Sequence, residues 1–162
     1  MTSRTNFRTR TSFRTRATAL ALAAVTAVSL SAAPAAHAAP FKVTDNNPTL
    51  QDWTAQMKYL LSDKATDEGI ALNLEAGKKG VSAAKFFRST GKRNPNWWWK
   101  FVGPTSTKGN ISTAYFYQDA PGYPTVKKPS KWKKINGNWR ISNETLCHYI
   151  GIYKLGKQSF CK

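Results

Sequence analysis

The spacing of apolar residues changes once along this chain, at Trp97, and that change limits the fold more than any motif does. Ahead of it, Leu50, Trp53, Met57, Leu60 and Leu61 fall on one face at helical spacing. Thr49 stands where it can cap that helix, with Asp52 three positions later near the positive end of the dipole. A shorter helix is predicted after Thr66, with Asp67 and Glu68 in its first turn, Ile70, Leu72 and Leu74 as apolar contacts, and Gly77 and Gly80 ending it. "VSAAKFFRST" gives a third, carrying Val81, Ala84 and Phe87 and broken over residues 91–95.

Beyond Trp97 the runs read as extended. "WWWKFV" stops at Gly103-Pro104, "ISTAYFYQ" is rich in branched and aromatic residues, and "KWKKINGNWRIS" holds Asn136-Gly137, a strong hairpin signal. "DAPGYPTVKKPS" contains three prolines and is expected to be a loop or a poor edge strand. A last helix is expected from Ser142 or Asn143 through Leu146 and Ile150. Helices followed by strands and a closing helix predict an α+β fold: N-terminal helices packed on one face of a curved antiparallel sheet, with a C-terminal helix.

Residues 1–38 are explained by export. Arg4, Arg8, Arg10, Arg14 and Arg16 precede the apolar "ALALAAVTAVSLSAA" and a small-residue "AHA" at 36–38, the pattern of a cleaved signal peptide. A retained membrane anchor is the alternative, disfavoured by the small residues and by Ser29, Ser31 and Pro34; no integral membrane segment is expected after cleavage. No cysteine near the cleavage point suggests a lipid anchor, and "RTR" is not a twin-arginine pair. The leader takes 5 of the 25 basic residues and none of the 8 acidic ones, so 20 basic against 8 acidic side chains leave the rest at +12. What remains supports one domain, divided as an arm (39–47), an α+β domain (48–152) and a tail (153–162). Cys147 and Cys161, the only cysteines, read in an exported chain as a disulfide holding that tail. The alternative, a reactive thiol or a metal site with His148, lacks further ligands.

"PTLQDWTAQMKYLLSDKATDEGIALNLEAG" and "WKKINGNWRISNETLC" carry a family likeness over residues 48–150. There the chain resembles the C-terminal domain of the low-molecular-weight secreted antigens of mycobacteria and corynebacteria. The resemblance implies a cystatin-like or nuclear-transport-factor-like cone and a secreted protein with no established activity. The tryptophan run, the charge and the disulfide are not features it carries over.

Enzymatic constellations are sparse. There is no phosphate loop, His-Glu metal motif or nucleophile elbow, and His148 is the only histidine after the leader. Cys147 and His148 are neighbours whose side chains point about 100° apart on a helix, a poor nucleophile and base pair. Asp119 or Glu144 could supply a carboxylate base in a cone, but Asp119 in "QDAPG" reads as a turn former and Glu144 as a partner of the last helix's positive end. The expectation is no enzyme, no cofactor and no metal.

Alternation along a strand puts Trp97, Trp99 and Phe101 on one face, and Trp98, Lys100 and Val102 on the other. Either all three tryptophans fill the core or Trp98 is exposed for binding. A second cluster, Lys127, Lys128, Lys131, Lys133 and Lys134 around Trp132, suggests a basic loop entering an edge strand. Lysines there discourage edge-to-edge aggregation, and an aromatic among them also suits a polyanion. No motif for reading nucleic acid sequence is present. The chain is therefore expected to be a non-enzymatic extracellular protein that associates with anionic cell-envelope polymers or a lipid surface. Its expected ligand-binding residues are Trp98, Lys100, Lys127, Lys128, Lys131, Trp132, Lys133 and Lys134. One alternative is a small-molecule or lipid carrier, or a vestigial enzyme, with Trp97, Trp99, Phe101 and Tyr115 lining the concave side. Another is a secreted effector or inhibitor acting on a second protein.

Overall fold

The computed structural model describes residues 39–161; the expected signal peptide at 1–38 lies outside the described residues. Helix α1 (Leu50–Leu61) starts in the expected capping box: Asp52 N–H donates to Thr49 Oγ1 (3.3 Å) and Thr49 N–H to the Asp52 carboxylate (2.7 Å). Helix α2 (Asp67–Leu72) is capped by Thr66 but does not run to the glycines. Asn73 caps its C-terminus (φ −98°, ψ 0°), and Leu74 then makes an isolated parallel bridge to Ile141, with Ile141 N–H donating to Asn73 O and Glu75 N–H to Ile141 O (2.9 Å each). Leu74 is thus buried from a strand-like segment rather than from a helix.

A 3₁₀ turn (Gly77–Gly80) leads into α3 (Val81–Arg93), which runs through Gly91 where a break was expected. Gly91 serves packing instead: a Cβ there would lie 2.5 Å from the Trp97 ring. After β1 (Trp98–Lys108), β2 (Ile111–Ala120), β3 (Tyr123–Ile135) and β4 (Asn138–Ile141), helix α4 (Asn143–Ile152) is capped by Ser142. The sheet is antiparallel in the order β1-β2-β3-β4, so the α+β architecture stands.

One expectation about the strands needs correction: β1 begins at Trp98, not Trp97. "DAPGYPTVKKPS" takes the edge-strand alternative rather than the loop: most of it lies in β3, and β4 pairs only with residues 132–135, so Pro124 and Pro129 sit where β3 is itself an edge. A missing N–H there leaves no ladder bond unmade. Asn136-Gly137 turns the last hairpin with both residues at positive φ (51° and 76°), as a type I′ turn requires.

The core lies between the helices and the sheet face formed by Trp99, Phe101, Ala114, Phe116, Ser130 and Trp132. Trp53 stacks on Trp132 (4.1 Å, 12°) and meets Trp139 edge-on (6.0 Å). Buried Gln56 joins the layers: its Oε1 accepts from Trp132 Nε1 (2.7 Å), and its Nε2 donates to Asn73 Oδ1 (3.0 Å) and Trp139 O (2.8 Å). The arm is tied to β4, with Val43 N–H donating to Asn138 Oδ1 (3.0 Å) and Trp139 N–H to Val43 O (2.9 Å). Cys147 and Cys161 are bonded, and Leu155 and Phe160 of the tail pack against the core.

Candidate binding face of the sheet

Among the described residues, the helices pack on the inner face of the sheet and none covers the other. On it Trp98 and Tyr115 are the large apolar side chains most open to solvent, at 44% and 38%. Register aligns Lys100 with Tyr117 and Tyr117 with Lys127 in one row, and Val102 with Tyr115 and Tyr115 with Pro129 in the next. The rings of Trp98 and Tyr117 stack (5.2 Å, 28°), and the Lys100 ammonium lies 5.8 Å from each ring centroid. Lys127 Nζ stands 5.7 Å from the Tyr115 ring. Lys100 and Lys127 make no ion pair among the described residues. Asp119, at the end of the strip, accepts from Thr125 Oγ1 (2.9 Å); it belongs to β2 rather than to a turn.

The eight expected binding residues do not form one site. Trp98, Lys100 and Lys127 come together on the outer face. Trp132 is 1% exposed in the core, so it is not a surface residue among lysines: Lys131 and Lys133 point outward from β3 while Trp132, between them, points in. Lys131 pairs with Glu144 (2.7 Å), and Lys133 with Glu75 (2.5 Å), whose other oxygen accepts from Asn143 N–H (2.7 Å). Lys134 donates to Thr44 O (3.1 Å), Asp45 O (3.3 Å) and Asn46 Oδ1 (2.7 Å), holding the arm. Lys128 is exposed and, by alternation, on the side of Ser130 and Trp132. Tyr115, expected on the concave lining, faces outward instead, because it alternates with the core residues Ala114 and Phe116. Tyr117 is the site residue that sequence reasoning missed, and the spacing in "AYFYQ" was the signal that puts it and Tyr115 on the outer face.

Among the described residues, no three His, Cys, Asp or Glu side chains are grouped to hold a metal, and no helix is long and apolar enough to cross a membrane. The elements and the open face define a small disulfide-bonded α+β domain with a basic, aromatic outer sheet surface. Residues 46–157 match the family described as low molecular weight antigen MTB12, C-terminal domain, and the chain belongs to this family. No curated protein matches the chain.

Proposed function

We propose that this protein acts outside the cell, without catalytic chemistry, by holding anionic cell-envelope polymer against the outer face of its sheet. One observation carries the reading: the stacked Trp98–Tyr117 pair with the Lys100 ammonium beside both rings, on a face that no helix of the described residues covers. Aromatic plates and neighbouring lysines together suit a polymer that offers rings to stack on and charges to neutralise. The extracellular setting is supported by the composition of the leader and by the Cys147–Cys161 bond. The absence of catalysis is supported by Cys147 being tied in that bond and His148 standing exposed beside it.

Retention on isolated cell envelope, measured over a salt series, tests the proposal. Binding should fall steeply as salt rises, because counterions released from the polymer drive it. Trp98→Ala should weaken it roughly tenfold, the scale of one lost stacking contact. Retention indifferent to both salt and Trp98 would overturn the reading.

A further inference from the structure

Between the helices and the inner face of the sheet lies a cavity of about 60 Å³. One water needs roughly 10–15 Å³ of such space and ordinary ligand pockets begin near 300 Å³, so it can hold something small. Its wall is largely apolar, including Met57, Leu60, Phe87 and Phe101, and no charged side chain lines it.

Two hydrogen-bond donors on that wall are unused. Trp97 Nε1 and Gln118 Nε2 are both buried and have no partner among the described residues; Gln118 as a whole is 2% exposed. The other polar groups nearby are engaged: Ser130 Oγ and Tyr149 Oη bond each other (3.1 Å), and Gln118 Oε1 accepts from Tyr153 Oη (3.2 Å). Turning the Gln118 amide over would exchange its unpaired nitrogen for an unpaired oxygen, but the indole N–H of Trp97 can only donate. Buried polar groups are rarely left without a partner, and two on residues that line one cavity mark a place suited to an acceptor.

We infer that this cavity is a binding site for a small, neutral, mainly apolar molecule carrying an acceptor oxygen, held by Trp97 Nε1 and Gln118 Nε2. Neutrality follows from the wall: an anion would be stripped of water with no cation to meet it, and a cation would face donors. The site is on the opposite side of the sheet from the Trp98 face and is independent of it.

Acetone and isobutene are suitable probes, alike in shape and size but differing in the carbonyl oxygen. The purified protein would be titrated with each while the indole N–H resonances are followed, with that of Trp97 assigned by its loss in Trp97→Phe. Acetone should shift the Trp97 signal saturably and bind about tenfold more tightly than isobutene. Trp97→Phe and Gln118→Leu should each reduce that preference, read for the variants from the remaining indole signals. Gln118→Leu keeps the test available if Trp97→Phe does not fold. Absence of a saturable shift with acetone would overturn the inference, and so would equal affinity for the two probes.

Discussion

Gln56 falls three residues after Trp53, on the apolar face of α1, where a glutamine looks out of place. Its amide fills the gap between three buried groups, Trp132 Nε1, Asn73 Oδ1 and Trp139 O, none of which has water to turn to. Gln56→Leu keeps the volume and orphans these contacts, which should cost about 3 kcal/mol or more in denaturant unfolding. The tryptophan run separates by the same reasoning. Trp99→Ala should cost about 3–5 kcal/mol, since Trp99 packs on Phe101 and Phe116, while exposed Trp98→Ala should cost about 1 kcal/mol or less. Tyr149 gives a pH signature. Burial raises its phenol above the ordinary 10.0, more than the Ser130 hydrogen bond lowers it. The folded state therefore keeps a proton that the unfolded chain gives up, so this contribution to stability is complete below pH 10 and is lost as pH rises beyond it. Tyr149→Phe should flatten that alkaline slope in melts recorded from pH 9 upward.

At the scale of elements, what could be read from the chain was what is encoded locally. Thr49 with Asp52, Thr66 with its acidic neighbours, and Asn136-Gly137 each fix a cap or a turn through bonds within a few residues. What misled is settled by distant partners. Gly91 looks like a breaker until Trp97 is seen against it, and the prolines of β3 leave loop and edge strand both open until β4 proves too short to reach them. The candidate face was half legible: alternation in "WWWK" placed Trp98 and Lys100 correctly. In "KWKK", grouping by proximity in sequence joined Trp132 to Lys131 and Lys133, which alternation sends to the other side. The tail belongs to this scale too. The Cys147–Cys161 loop spans 14 residues and contributes up to about 3 kcal/mol on chain entropy. Cys161→Ser should lower the melting temperature and make the tail protease-sensitive while the sheet stays folded. Loss of all cooperative unfolding would show instead that Leu155 and Phe160 are integral to the core.

For the whole molecule, the excess of positive charge is a poor guide to where a polyanion would bind, because much of it is already engaged. Lys131 and Lys133 are paired with carboxylates, Lys134 holds the arm, and Lys85 and Lys92 pair with Asp67 and Asp63. Lys100 and Lys127 are different: both are exposed, and both lie beside aromatic rings rather than carboxylates. The central claim is therefore about a place rather than about net charge, and a matched pair of double variants tests it. Lys100→Gln/Lys127→Gln removes two charges from the sheet face, and Lys78→Gln/Lys79→Gln removes two exposed charges from the 3₁₀ turn. Their affinities for isolated cell envelope, compared across a salt series, should part clearly. The sheet-face variant should bind about tenfold or more weakly with a flatter salt dependence, and the 3₁₀ variant should stay close to the parent protein. Equal losses in the two would contradict the account, since binding would then follow total charge and the Trp98–Tyr117 face would have no special part in it.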